Sequence, residues 1–531
     1  MGVAIGRFDN PVLTRETRTR MRGTRAYWML FFYVMLQSLI LFVAYLLRFQ
    51  RYQGYAAAGY QPVPGMDPAG RELFQALFVA QALMIAVITP ALTAGMLTIE
   101  REQRTFELLM LTMLRPRQII AGKLCSAFGF AVLLLTASLP LAGICLMLNG
   151  ISPEEILVVY LLLAASSLFY GALGILFSAV LRSTAMATAA SYMAGLFLFL
   201  LTGIAALGTK EVLFSSVNPV GAVFNALESA PFFRWRLATW IPALPLLVLL
   251  ALLAASGATH RLEEGLSERP GVLRWLTYLI FCILAIGAVG NVLGGVRPSS
   301  VDQVRLVISW TCMILLVLLA VLALVFCTGE GAEVSGAAAS VRPAPRRVRL
   351  GRLFHARIFT GGYAWGFAYT LLLFITAAAA LVAGFSVSGS STWVLAADAL
   401  GEALLLVFSA LMCYIALGRF YSVLLGARYA AAMLGFFTIT ALALLPLLNL
   451  LAWDPAVNPG HQILWETLYL NPGVALLSLC TDAPVWSRTY PAVWSGQQLM
   501  WVVAAALHLG LAAVLELAGQ GILAGRRRVK A

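Results

Sequence analysis

Long apolar runs separated by short polar stretches make up most of the chain. A helix needs about 20 such residues to cross the hydrocarbon core of a bilayer at roughly 1.5 Å rise per residue. Twelve runs reach that length, and they predict an all-α integral membrane protein with about twelve transmembrane helices in two six-helix halves. The predicted spans are 26–47, 73–99, 124–148, 156–181, 185–207, 237–258, 275–296, 306–327, 359–385, 394–417, 430–453 and 499–523.

The composition fits this architecture. Hydrophobic residues make up 61% of the 531 residues and charged residues 11%, whereas a soluble domain carries roughly 25% charged residues. Cytoplasmic loops retain Lys and Arg during insertion, and an inside N-terminus puts about 27 of the 36 basic residues on that side. We therefore expect a multi-pass inner (plasma) membrane protein with both termini in the cytoplasm. The net charge of +13 then reflects topology and not nucleic-acid binding, because the basic residues flank the spans.

Breaks in the apolar pattern near residues 265 and 336 divide the chain. We expect a six-helix domain over 1–265, which includes an N-terminal amphipathic helix and a cytoplasmic loop helix. Two connecting transmembrane helices follow over 266–330. A basic cytoplasmic linker rich in Gly, Ala, Pro and Arg covers 331–358. A four-helix, divergent partial repeat covers 359–531.

A weak internal repeat relates the outer loops that precede the sixth and twelfth spans. Asn218-Pro219 and Asn471-Pro472 are each followed, at the same distance, by an Ala-Pro pair. Asn as a cap with Pro in the first turn starts a helix, so a short helix is expected after each pair. Duplication and coincidence both account for the match, since Asn-Pro is common in loops.

The polar stretch 99–123, between the second and third spans, carries the most information about function. Its apolar residues Phe106, Leu109, Met110 and Met113 recur on one helical face. This pattern predicts an amphipathic helix on the cytoplasmic surface, with a charged edge that faces a cytosolic partner. An ordinary amphipathic loop helix is the other interpretation. The polar residues assigned to that edge are Glu100, Arg101, Glu102, Arg104, Thr105 and Glu107.

This stretch resembles the coupling region of ABC-2 type permeases. There an acidic cluster, here residues 100–102, precedes a Thr-x-Glu-Leu-Leu element, here 105–109, and an Ile-x-x-Gly-Lys start of the next span, here 119–123. Family members often have Gly directly before the Thr, where this chain has Arg104. The resemblance implies the membrane-spanning permease subunit of an ATP-binding cassette transporter, an exporter. A separate cytosolic ATPase would bind this region, and 1–265 would be the ABC-2-like permease domain.

The N-terminal stretch from Asn10 to Arg25 resembles the family's amphipathic helix, which runs along the inner surface before the first span. Asn10 fits as its cap and Pro11 as its first residue. Its basic residues, beginning with Arg15 beside Glu16, suit anionic lipid headgroups. A generic basic flank that only sets topology is the alternative. The resemblance covers roughly residues 10–258.

No G-x-x-x-x-G-K-[ST] phosphate cradle occurs in the sequence. We therefore expect no ATPase activity and no cofactor in this chain, with ATP and Mg²⁺ bound by the partner subunit. The four histidines are scattered without ligand spacing, so no metal site is predicted. Membrane lipids are expected contacts, and twelve spans suit either a fused permease pair or one half of a homodimer or heterodimer.

Ionisable residues inside spans are candidates for function, since burying one costs at least about 2.5 kcal/mol at a helix centre. They are Asp398 and Glu402 in the tenth span and His508 and Glu516 in the twelfth. For Glu402, a substrate or proton role competes with hydrogen bonding to a neighbouring helix. These carboxylates and the paired halves are the basis of the alternative function, an ion-coupled secondary transporter. A membrane enzyme acting on lipid ranks last, because no constellation of His, Asp and Glu is evident.

Overall fold

The computed structural model describes a helical protein. The described residues are 11–22, 24–57, 69–111, 114–148, 150–208, 213–225, 227–263, 271–295, 301–327, 366–388, 397–425, 431, 433–439, 472, 476 and 497–530. Contacts divide the chain into two compact units. Unit 1 comprises residues 1–231 and 236–268, and unit 2 comprises 232–235 and 269–531.

The described part of unit 1 contains eleven α-helices and a short 3-10 helix, Ser215–Val217. The α-helices are α1 (Pro11–Met21), α2 (Thr24–Ala57), α3 (Ala69–Ala94), α4 (Thr98–Glu102), α5 (Phe106–Met110), α6 (Pro116–Ala137), α7 (Leu139–Met147), α8 (Pro153–Val180), α9 (Thr184–Gly208), α10 (Pro219–Asn225) and α11 (Trp240–Glu263). A two-stranded hairpin, β1 (Ser229–Phe232) and β2 (Trp235–Ala238), precedes α11. The sequence pattern did not predict this hairpin.

Among the described residues, ten helices are long and apolar enough to cross a membrane. They overlap ten of the twelve predicted spans, which confirms an all-α, multi-pass membrane protein. The fifth predicted span is the helix α9, in which the recognised apolar stretch, Thr184–Leu200, is shorter than a full span. The eleventh, 430–453, lies mostly outside the described residues. The third begins earlier than expected, at Pro116, and its helix is interrupted at Ser138.

Helix α8 forms the centre of unit 1, where it packs against α3, α6, α9 and α11. Its small residues allow this close packing. At Gly174, a Cβ atom would overlap the hydroxyl group of Thr93 in α3, so only glycine permits that approach. The apolar core therefore surrounds α8, and its two ends are the natural attachment points for the connecting segments.

Helix α2 touches the rest of unit 1 along a narrow seam. Its buried side chains are Ala26, Tyr33, Gln37 and Leu41, which are spaced seven, four and four residues apart. Such spacing keeps one stripe of a helix against its neighbours. Most of the remaining surface of α2 is exposed and aromatic or aliphatic, including Trp28 and Phe42, as expected for contact with lipid.

Unit 2 contains α12 (Gly271–Gly295), α13 (Val301–Cys327), α14 (Gly366–Ser388), α15 (Ala397–Leu425) and α16 (Gln497–Lys530) in its described part. Helix α13 packs against α14 and α15, and α15 packs along α16. Arg274 is buried and lies 5.7 Å from the ring centre of Tyr369. The Tyr369 hydroxyl donates a hydrogen bond to the Arg274 carbonyl oxygen at 2.8 Å, which joins α14 to α12.

Candidate functional site

The charged stretch after α3 is not one amphipathic helix. It forms the short helices α4 and α5, which are joined at Gln103–Thr105. We call residues 98–111 the α4–α5 segment. Its chain reverses at Arg104, whose φ angle is 57°. The Thr105 backbone N–H donates to the Glu100 carbonyl oxygen at 2.9 Å and closes the turn. The expected apolar periodicity is interrupted because a left-handed residue ends the first helix.

The conformation of Arg104 gives a physical reason for the glycine that the resemblance to ABC-2 type permeases leads one to expect at this position. A left-handed residue costs about 1–2 kcal/mol when it carries a Cβ atom, and glycine avoids that cost. Arg104 is exposed, so its side chain contributes little packing that would offset the strain.

Replacing Arg104 with Gly should therefore stabilise the protein by about 1 kcal/mol. The midpoint of thermal unfolding of the purified chain, followed by circular dichroism, measures this gain. Arg104→Ala is the matched control, since it removes the same side chain but keeps the Cβ atom. An equal gain in both variants would show that the charge and not the backbone is responsible.

Arg101 fastens the α4–α5 segment to the end of α8. Its guanidinium donates to the carbonyl oxygens of Leu181 at 2.8 Å and Ala179 at 2.9 Å, with a weaker contact to Ser178 at 3.4 Å. The last carbonyl groups of a helix lack intrahelical partners and carry partial negative charge, so a cation is favourable there. The same guanidinium lies 4.9 Å from the ring centre of Phe106 in α5. We call these contacts of Arg101 the clamp.

Glu102 and Thr98 join the same segment to the start of α9. The Thr184 backbone N–H donates to the Glu102 carboxylate at 2.8 Å, and the Thr184 hydroxyl donates to the Thr98 hydroxyl at 2.9 Å. A carboxylate at a helix N-terminus is stabilised by the free N–H groups. The Ser178 hydroxyl accepts hydrogen bonds from the backbone N–H groups of Leu97 and Thr98. The segment therefore contacts the end of α8 and the beginning of α9 together.

Lys123 links three elements of unit 1. Its ammonium group lies 3.0 Å from a Glu16 carboxylate oxygen and 2.9 Å from one of Glu100, and it donates to the Met96 carbonyl oxygen at 3.2 Å. We call Glu16, Glu100 and Lys123 the Lys123 triad. The Lys123 side chain is only 3% exposed, whereas its two partners retain some contact with solvent. Three hydrogen bonds to a buried ammonium offset its desolvation.

Helix α1 begins at Pro11, as the sequence predicts; Asn10, its expected cap, lies outside the described residues. One face of α1 is turned to the protein: Val12 is buried, and the Arg20 guanidinium donates to the Leu92 carbonyl oxygen at 3.2 Å. Burial lowers the pKa of Arg20, while Glu16 raises it. Arg15 and Arg18 lie on another face, which is exposed or half-exposed. The helix is thus amphipathic in the expected sense, with an inner face that ends in the Lys123 triad.

The outer surface of the α4–α5 segment is exposed. Arg104, Thr105 and Glu107 are exposed. Leu108 is 66% exposed and Leu111 is 81% exposed. These two leucines lie one helical turn apart, so they share a face. Of the polar residues predicted to face a partner, Glu100 and Arg101 point into the protein and Glu102 is bonded to α9. The predicted apolar residues Leu109, Met110 and Met113 have no described side chains.

Asn218 caps a short helix in the loop before α11, as expected from the Asn-Pro pair. Its amide oxygen accepts hydrogen bonds from the backbone N–H groups of Val220 and Gly221, and its amide nitrogen donates to the Phe199 carbonyl oxygen. Helix α10 then begins at Pro219. Asn471, in the second copy of the proposed repeat, lies outside the described residues, and Pro472 is described only as a helical, buried residue.

The ionisable residues predicted in the later spans lie on two helices, α15 and α16. Glu516 in α16 pairs with Arg419 in α15 at 3.3 Å. Glu402 is half-buried in α15, and His508 is buried in α16. Asp398 belongs to α15, but its side chain is outside the description. Glu516 therefore has a structural partner, and the remaining roles stay predictions.

Sequence reasoning did not find the contacts of Lys123 or the direction of Arg101. The pattern places Lys123 at the end of the Ile-x-x-Gly-Lys element, although a lysine next to an apolar span is itself a signal for a buried partner. For Arg101 no local signal exists, since its three acceptors are about 80 residues further along the chain.

A comparison with models of protein families finds one match to part of the chain. Residues 50–258, which contain α3 to α10 and most of α11, match the family model described as ABC-2 family transporter protein. No curated protein and no solved structure matches the chain.

Proposed function

We propose that this chain, whose residues 50–258 match the model of the ABC-2 family transporter proteins, is the membrane-spanning subunit of an ATP-binding cassette exporter. A separate cytosolic ATPase subunit powers it and binds ATP and Mg²⁺. The α4–α5 segment is the surface that receives the ATPase. The chain itself acts as a permease in the plasma membrane and assembles with a second permease, either another copy or a related chain.

One observation supports this proposal above all others. The α4–α5 segment is hydrogen-bonded to the protein on its inner side and exposed on its outer side. Arg101 and Glu102 connect it to α8 and α9, and Glu100 connects it to Lys123 in α6. An isolated surface loop needs no such connections. A segment that transmits a displacement does need them, since packed elements move together when several hydrogen bonds join them.

The geometry suggests how a displacement would reach the membrane. A push on α4–α5 acts on the end of α8 through Arg101 and on the beginning of α9 through Glu102. It also acts on α6 and α1 through the Lys123 triad. Four helices would therefore respond to one contact with the ATPase. Rigid-body rocking of helices in this manner changes which side of the membrane a central path opens to.

The exposed leucines define the chemistry of the contact. Leu108 and Leu111 protrude beside Glu107, so the ATPase should offer an apolar groove with a basic rim. Burying one leucine contributes about 1.5–3 kcal/mol, so the pair can supply a large part of the binding energy.

Replacing both Leu108 and Leu111 with Asp should reduce binding of the ATPase subunit by at least about 100-fold, since two buried apolar contacts are lost and two charges are desolvated. The chain is co-expressed with the ABC ATPase encoded in its own genome, and the affinity of the purified subunits is measured by biolayer interferometry.

The matched control is Leu227→Asp, which places the same charge at an exposed leucine near the β1–β2 hairpin. It should leave binding unchanged. Equal binding by the double variant and the unmodified chain would remove the α4–α5 segment as the docking surface. No binding by the unmodified chain to any such ATPase would contradict the proposed function itself.

A further inference from the structure

A group of polar side chains lies inside unit 1, away from the α4–α5 segment. Tyr33 and Gln37 come from α2, Gln81 from α3, Ser138 from the break between α6 and α7, and Tyr160 from α8. We call these five residues the glutamine cluster. Gln37, Gln81 and Ser138 are fully buried, and Tyr33 is 4% exposed. Each of the four contributing segments belongs to a helix that is long and apolar enough to cross a membrane.

Some of the polar atoms in the cluster are paired. The Gln81 amide nitrogen donates to the Ser138 hydroxyl oxygen at 2.7 Å. The Ser138 hydroxyl donates to the Leu135 carbonyl oxygen at 2.7 Å, so the Tyr160 hydroxyl is the donor in its 2.9 Å contact with Ser138. These bonds hold the break in α6–α7 against α3 and α8.

Three other atoms of the cluster have no hydrogen-bond partner: the Tyr33 hydroxyl and the side-chain oxygens of Gln37 and Gln81. The Tyr33 hydroxyl lies beside the side chains of Gln81, Ser138 and Gln37. The Gln37 amide nitrogen donates a weak hydrogen bond to the sulfur atom of Met84 at 3.3 Å. A buried, unpaired polar group is costly, and glutamines that only join helices would be expected to use their oxygens.

The unpaired atoms define a ligand chemistry. Two amide oxygens accept hydrogen bonds, and the hydroxyl donates or accepts. None of the five side chains is charged at neutral pH. The surroundings are apolar: Phe78 packs against Tyr160, and Leu41 follows Gln37 by one turn. The arrangement suits an uncharged O–H or N–H group attached to an apolar body.

The position of Gln37 also provides a route by which a molecule could reach the glutamine cluster from the lipid. It lies in the narrow seam of α2, and the opposite surface of α2 is exposed and apolar. A helix held by one stripe of small contact area separates from its neighbours more easily than a helix such as α8, which is buried on several faces. Displacement of α2 would open the glutamine cluster toward lipid.

We propose that the glutamine cluster binds the polar group of an uncharged amphiphile, such as an alcohol or an amide, that enters from the lipid beneath α2. Its O–H or N–H donates to the side-chain oxygens of Gln37 and Gln81. This inference rests on the proposed function in one respect, because the bound amphiphile would be the transported cargo. Water could make the same hydrogen bonds. The experiment below distinguishes bound water from a bound amphiphile.

The test uses the full chain in phosphatidylcholine nanodiscs, without any ATPase, and two probes that differ in one donor. n-Decanol carries an O–H group, and decyl methyl ether has a similar apolar body without it. Affinities follow from the concentration dependence of the unfolding temperature. The unmodified chain should bind decanol about tenfold more tightly than the ether, since one buried hydrogen bond distinguishes them.

Gln37→Leu should abolish this preference and should unfold, without ligand, at no lower temperature than the unmodified chain. It loses one weak N–H···S contact and removes an unpaired oxygen. Tyr33→Phe removes another unpaired atom at nearly constant volume and should weaken the preference as well. Gln53→Leu, at an exposed position of the same helix, is the control and should keep it.

Equal affinities of the unmodified chain for decanol and the ether would leave water as the only occupant and overturn the proposal. A lower unfolding temperature of ligand-free Gln37→Leu would assign the cluster a structural role and overturn it too. Neither result depends on the ATPase. If the unmodified chain did not bind the ATPase but still preferred decanol to the ether, the proposed function would be contradicted and the glutamine cluster would remain a binding site.

Discussion

Replacing Lys123 with Met should lower the free energy of unfolding by about 3 kcal/mol, the lower end of the range for breaking a buried ion pair. Methionine fills a similar volume but leaves the Glu16 and Glu100 carboxylates facing each other without a cation. One Glu100 oxygen is already buried and without a hydrogen bond, so it has little access to water. The other carboxylate oxygens keep some hydration, which places the effect at the lower end.

The loss should be concentrated at α1, because the triad ties that helix to α4 and α6, beside the bond from Arg20 to Leu92. Thermal unfolding of the purified chain reports the stability. Limited trypsin digestion reports the local effect, since α1 contains several arginines and cleavage there should accelerate.

A rescue variant makes this test specific. Changing Glu16 and Glu100 to Gln in the Lys123→Met background removes the uncompensated charges and should restore much of the stability. Unchanged stability and unchanged trypsin protection in Lys123→Met would show that the triad does not hold α1 in place. A loss without rescue would point to packing around the lysine stem instead of charge.

Arg101→Ala should uncouple the permease from its ATPase. The variant loses two short hydrogen bonds, a longer one to the end of α8, and the contact with Phe106. A hydrogen bond to a charged group contributes about 1.5–3 kcal/mol. A net loss of about 3 kcal/mol reduces the population of the clamped arrangement by roughly 100-fold relative to the released one. ATPase stimulation in the reconstituted complex should fall by at least about tenfold on this account.

Binding of the ATPase should be retained in Arg101→Ala, because Leu108 and Leu111 still form the docking surface. Arg101→Lys is the matched control: it keeps the positive charge but cannot donate to three carbonyl groups in a fork, so an intermediate stimulation is expected. Loss of binding in Arg101→Ala would mean that the clamp shapes the docking surface. If Arg101→Ala kept both ATPase binding and ATPase stimulation, displacement of the α4–α5 segment would not be transmitted through α8.

Much of the architecture could be predicted from local sequence. Ten described helices overlap predicted spans, because a length of about 20 apolar residues is a property of one contiguous window. The starts of α1 at Pro11 and α10 at Pro219 were predicted for a similar reason, since proline's fixed φ and missing N–H suit the first turn of a helix. The resemblance in residues 100–123 pointed to the family that the comparison then matched over 50–258.

The site required more than local pattern. A charged edge facing outward was the natural interpretation of residues 100–107, yet Glu100 binds Lys123 and Arg101 binds the end of α8. The break at Arg104 was equally hidden, because arginine does not mark a left-handed position as glycine would. The unpaired oxygens of Gln37 and Gln81 also depend on how α2 meets α3.

The sequence by itself determined that this protein crosses a membrane many times and that residues 99–123 form a polar connection between two spans. Only the tertiary structure decided which of those residues face inward. Hydropathy and helix starts depend on neighbours within a turn or a single span, so they can be read along the chain. The partners of Arg101, Glu102 and Lys123 lie up to 107 residues away in sequence, and only the packing of helices against one another brings them within hydrogen-bonding distance.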